Sequence, residues 1–74
     1  MTNDEQFLID NITTELIVLV MQDFRCDMET AMDKVYSSVT YDKLTDMRTG
    51  LYFQSPLYVY DFLREELELS PRAV

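Results

Sequence analysis

Residues 49–62, Thr-Gly-Leu-Tyr-Phe-Gln-Ser-Pro-Leu-Tyr-Val-Tyr-Asp-Phe, constrain this chain more than any other stretch. Gly50 is its only glycine, and glycine takes the left-handed conformation that ends a helix at little cost. Shortly after it, Ser55-Pro56 has the form of a helix start. The hydroxyl can accept from an orphaned backbone N–H, and proline at the first helical position loses no hydrogen bond. One helix must therefore stop and another begin within a link too short to be a domain boundary. Five of the nine aromatic residues lie in this segment, so the junction is a packing landmark.

With 74 residues the chain forms one domain, at a size where a single core is barely sufficient and a partner subunit often helps. A hydrophobic fraction of 47% and four apolar segments argue for a folded chain. Six Lys and Arg against fourteen Asp and Glu give a formal net charge of −8, which repels nucleic-acid phosphate and anionic lipid. The basic residues Arg25, Lys34, Lys43, Arg48, Arg64 and Arg72 are dispersed, so no basic patch forms. An acidic surface serves solubility and suits a basic protein partner. Cys26 stands alone and cannot form an internal disulfide. The polar, acidic first residues do not have the form of a signal peptide, and the expectation is a cytoplasmic protein. The longest apolar run, residues 16–21, has six residues against the roughly 20 that cross a bilayer.

Hydrophobic spacing predicts helices throughout. The first runs over residues 4–24, with Thr2 and Glu5, or Asn3 and Gln6, as a capping box. Leu8, Ile9, Ile12, Leu16, Leu19 and Val20 share one broad face, and Ile17, Met21 and Phe24 form a second stripe. A short buried strand at residues 17–20 is the alternative, but the long helical pattern before it favours helix. Asp27 is placed to cap a second helix reaching about Ser37, with Met28, Ala31, Met32, Val35 and Tyr36 on one face. Thr40 can cap a third over residues 41–48, with Leu44 and Met47 inward, and Gly50 ends it. Residues 51–54 read as an extended link. The fourth helix starts at Ser55-Pro56 and ends before Pro71. Val59, Tyr60, Leu63 and Leu67 share its inward face; Tyr58, Phe62 and Leu69 make another stripe beside Asp61, Glu65 and Glu68.

The chemistry on offer is sparse. Histidine, the usual acid–base group at neutral pH, is absent. Cys26 has no imidazole to activate it and reads as a structural thiol. Asp23, Asp27 and Asp33 lack the ligand alternation and turn glycine of a calcium loop. Met28 and Met32, one turn apart, could form an adaptable binding surface, although core filling is the commoner role of methionine. Tyr52, Phe53 and Tyr41 have no neighbouring cations that would suit base stacking and read as packing residues. No catalytic, cofactor-binding or metal-ligating residues are expected, and the chain reads as a non-enzyme.

Ala31, Val35-Tyr36, Thr40-Tyr41-x-x-Leu44, Thr49-Gly50-Leu51-Tyr52, Ser55-Pro56-x-Tyr58-Val59-Tyr60 and Leu63-x-Glu65-Glu66 resemble small uncharacterised helical proteins of bacterial genomes, of the domain-of-unknown-function type. The similarity covers about the last two-thirds of the chain and rests on packing and capping residues. It implies a bacterial cytoplasmic protein of the kind that accompanies larger partners, and an antitoxin or accessory role. It supplies no catalytic residue.

The resulting expectation is an all-α domain of three or four helices, with a long central N-terminal helix and the second and fourth helices packed on it. Its core is Leu8, Ile9, Ile12, Leu16, Leu19, Val20, Met28, Met32, Val35, Leu44, Leu51, Val59, Tyr60, Leu63 and Leu67. The expected function is protein–protein interaction through an apolar surface formed by Ile17, Met21, Phe24, Tyr58, Phe62 and Leu69 and rimmed with acid. Its occupant is another protein of basic character, or a second copy in a homodimer. A small DNA-binding transcriptional regulator is the rival from a different class, and the charge opposes it.

Overall fold

The computed structural model of the protein describes residues 4–69. They form four α-helices: α1 (Asp4–Phe24), α2 (Met28–Tyr36), α3 (Val39–Thr45) and α4 (Pro56–Leu69). Two 3₁₀ turns, Met47–Thr49 and Leu51–Phe53, connect α3 to α4. The expected all-α architecture with a long first helix is the one observed, and α1 contacts both α2 and α4. Among the described residues, no helix is long and apolar enough to cross a membrane. The capping box at Thr2 or Asn3 and the stop at Pro71 lie outside the described residues.

Ile9, Ile12, Leu16 and Val20 recur every three or four residues and bury one face of α1. They meet Ala31 and Val35 of α2, Leu44 of α3, Tyr52 of the second 3₁₀ turn, and Val59, Tyr60 and Leu63 of α4. Leu8, Leu19, Leu51 and Leu67 pack half-buried around this centre. Thr13 is buried among them, its hydroxyl donating to the Ile9 carbonyl at 2.7 Å, so the polar group is satisfied within the helix.

Met28 and Met32 are not core residues. They are 58% and 37% exposed, because α2 turns Ala31 and Val35 inward. That rotation lines up Met28, Met32 and Tyr36, four residues apart, on the outer side of α2. Met47, expected to point inward, is also exposed: the helix has ended by Thr45, so the turn that would have carried Met47 over Leu44 does not form.

The helix ends follow local chemistry. Asp27 caps α2 by accepting from the Thr30 N–H at 2.9 Å, and Ser55 Oγ accepts from the Tyr58 N–H at 3.2 Å ahead of Pro56. Gly50 has φ +71°, the left-handed geometry its position demanded. At the end of α1, Arg25 adopts φ +53° and the Cys26 N–H donates to the Met21 carbonyl at 3.3 Å. That is the six-to-one closure of a Schellman motif with arginine in the usual glycine position.

Three boundaries differ from the sequence reading. The third helix, expected over residues 41–48 with Gly50 as its stop, ends at Thr45, and Gly50 instead caps the 3₁₀ turn Met47–Thr49. Ser38, not Thr40, caps α3: its Oγ accepts from the Tyr41 N–H at 3.0 Å and donates to the Val35 carbonyl at 2.6 Å. Thr40 is free to serve elsewhere because a serine two residues earlier already reaches the third helical amide. Residues 51–53 curl into a 3₁₀ turn where an extended link was expected. The Phe53 and Gln54 N–H groups bond to the Gly50 and Leu51 carbonyls at 3.1 and 3.0 Å. Curling turns Tyr52 into the core and leaves Phe53 71% exposed.

Candidate interaction groove

On α4, Val59, Tyr60 and Leu63 face the core. Phe62, Glu65, Glu66 and Leu69 stand at i, i+3, i+4 and i+7, so they occupy one other side of the helix, over two turns. Opposite them α3 presents Val39, Thr40 and Lys43, and Thr49 and Leu51 close the end. Together these residues line an open groove of about 790 Å³.

Glu66 holds the two walls together. One carboxylate oxygen accepts from the Val39 N–H at 2.7 Å, and the other accepts from the Thr40 N–H at 2.9 Å and the Thr40 hydroxyl at 2.8 Å. The first two amides of α3 have no partners within their own helix. A carboxylate 26 residues away supplies the acceptor, and Ser38 supplies it for the third amide. Burial pushes the Glu66 pKa up, but the bonds from Val39 and Thr40, helped by the Lys43 charge, outweigh it and hold the carboxyl below the usual glutamate range.

A second polar tie fixes α4 on α1. The Tyr60 hydroxyl donates to Asp23 Oδ2 at 2.7 Å and lies 3.4 Å from the Leu19 carbonyl. Burial first, and the bond to the Asp23 carboxylate next, raise the tyrosine pKa well above its ordinary value. The phenol therefore stays a donor at physiological pH.

The six residues expected to form the interaction surface fall into two groups. Tyr58, Phe62 and Leu69 are exposed on α4. Tyr58 meets Phe62 edge to face with centroids 5.3 Å apart, and Phe62 and Leu69 line the groove. Ile17, Met21 and Phe24 are half-buried and pack against the core. The Lys34 ammonium stands 5.9 Å over the Phe24 ring, so α2 occupies part of that stripe. Val39, Thr40, Lys43, Thr49 and Leu51 complete the groove and are not among the expected surface residues, because the meeting of α3 with α4 runs through the bonds of Glu66 to Val39 and Thr40, a pairing that helical periodicity does not report.

The groove's polar groups are mostly committed. Thr40 bonds to Glu66, and the Thr49 hydroxyl donates to the Lys43 carbonyl at 2.6 Å and accepts from the Leu51 N–H at 3.2 Å. Among the described residues, no group of three or more His, Cys, Asp or Glu side chains is placed to hold a metal ion. Cys26 is half-buried, with Sγ 3.9 Å from the Val20 carbonyl oxygen. Comparison of the chain with protein families, curated proteins and solved structures finds no match.

Proposed function

We propose that the protein is a non-enzymatic protein-interaction module of the cytoplasm, docking its occupant in the α3–α4 groove. One observation carries this reading: Phe62 and Leu69 remain 45% and 69% exposed along a groove whose hydroxyls are already hydrogen-bonded within the fold. Such a lining rewards apolar anchors and offers few polar groups to orient a small polar substrate. An accessory or antitoxin-like role beside a larger protein fits a chain of this size. The net charge of −8 favours a different, basic protein over a second copy, since two copies repel each other.

Co-purification from the native host, with sedimentation velocity on the isolated chain, tests the reading. A stoichiometric protein retained by the unmodified chain and lost with Phe62→Glu supports it. A homodimer lost with the same substitution also keeps the interaction role and changes the occupant. A chain that is monomeric at high micromolar concentration and retains nothing overturns it.

A further inference from the structure

We propose that the α3–α4 groove receives a short amphipathic helix carrying lysine or arginine beside its apolar anchors, with one cation paired to Glu65. This rests on the docking role just described and adds the chemistry of the occupant. Phe62 and Leu69 lie seven residues apart, about 10 Å along α4. That is the spacing of side chains at i and i+7 on a helix laid alongside, with the i+3 or i+4 residue between them.

Charge selects the sign. Glu66 is engaged by three donors from α3, and Lys43 is the one cation of the lining against Glu65 and Glu66, so the groove keeps an excess of one negative charge. Glu65 lines the groove and makes no ion pair among the described residues. Asp61 stands one turn before it on an exposed part of α4. A cationic helix would meet an unpaired carboxylate; an anionic helix would meet repulsion from Glu65 and from the whole chain. A second copy carries the same excess of acid and is the poorer fit.

The probe is a synthetic helical peptide of about 15 residues, with leucine at i, i+3 or i+4 and i+7 and lysine at the flanking positions. Its twin carries glutamate in place of lysine. Fluorescence anisotropy at about 0.15 M ionic strength limits long-range attraction to a Debye length of about 8 Å. The lysine peptide should bind at least about tenfold more tightly than its twin, and Phe62→Ala and Leu69→Ala should each weaken it about tenfold. Glu65→Lys should abolish the preference for lysine, while Phe7→Ala, at an exposed position outside the groove, should leave binding unchanged. Circular dichroism checks that each variant is folded, and two independent anchor variants guard against loss of one.

Binding that ignores both Phe62 and Leu69 overturns the docking role of the groove, and this inference with it. Binding that needs them but accepts both peptides equally leaves the docking role standing and overturns the basic chemistry. Self-association that depends on Phe62 and excludes the peptide assigns the groove to a second copy and also overturns it.

Discussion

Glu66→Ala removes a single exposed-edge side chain and should destabilise the whole fold. The carboxylate accepts three hydrogen bonds from α3, at 2.7, 2.9 and 2.8 Å. A bond to a charged group contributes roughly 1.5–3 kcal/mol, so simple addition gives about 4.5–9 kcal/mol. The net effect is smaller, because Glu66 is only half-buried, solvent screens its charge, and water can reach the Val39 N–H in the variant. The Thr40 hydroxyl lies in a buried residue, and its unmet donor sets a floor of about 1 kcal/mol. An expected loss of about 2–3 kcal/mol follows, against a total of about 4–11 kcal/mol for a chain of this length. The melting temperature should fall by at least about 8 °C.

Urea melts followed by far-ultraviolet circular dichroism measure the loss, and hydrogen exchange at the Val39 and Thr40 amides localises it to the start of α3. The pH dependence has a defined sign. The folded-state pKa of Glu66 is depressed, so its contribution is fully present above the unfolded value of about 4.3 and is lost as pH falls through the lower folded value. The gap between the unmodified chain and Glu66→Gln should therefore be widest near neutrality and close in acid. A Glu66→Ala variant within about 0.5 kcal/mol of the unmodified chain at pH 7, the scatter of ordinary surface substitutions, would refute the claim that this carboxylate fastens α3 to α4.

Three further outcomes are expected. Arg25→Gly should raise stability by up to about 1 kcal/mol, since a side chain at φ +53° is strained by about 1–2 kcal/mol and glycine's extra unfolded-state entropy offsets part of the gain; a lower melting temperature would contradict the strain at the α1 terminus. Gly50→Ala should cost about 1 kcal/mol from backbone strain alone, because a Cβ there meets nothing within 4 Å, and an unchanged urea midpoint would count against it. Leu44→Ala should lose about 2–5 kcal/mol while Met28→Ala stays within about 0.5 kcal/mol, as read by parallel chemical melts; equal losses would restore Met28 to the core.

Sequence periodicity made the helices legible, because a run such as Ile9, Ile12, Leu16 and Val20 can bury one face only when coiled at 3.6 residues per turn. Asp27, Ser55-Pro56 and Gly50 were legible for a related reason: each answers a backbone requirement within a few residues of itself. The same logic misplaced the α3 cap. Ser38 and Thr40 are both suitable by type, and the choice turns on which hydroxyl the packed fold needs elsewhere, the Thr40 group being drawn to Glu66. It also missed the left-handed Arg25, since nothing about arginine announces a conformation that glycine usually supplies at a helix end.

Local pattern alone therefore determined the four helices, most of their ends, the acidic character and the exposed Tyr58, Phe62 and Leu69 stripe of α4, but not the two 3₁₀ turns between α3 and α4. Tertiary structure decided the rest: that Ala31 and not Met28 or Met32 faces α1, that α2 and the core take up much of Ile17, Met21 and Phe24, and that Val39 and Lys43 stand across from Phe62 and Leu69. The reason is physical. A helix's periodicity says which residues lie on the same side, but the rotation of that side depends on what it packs against, here α1 against Ala31 and Val35, and on a carboxylate that reaches a helix end 26 residues away, and neither is written in the spacing of a single segment.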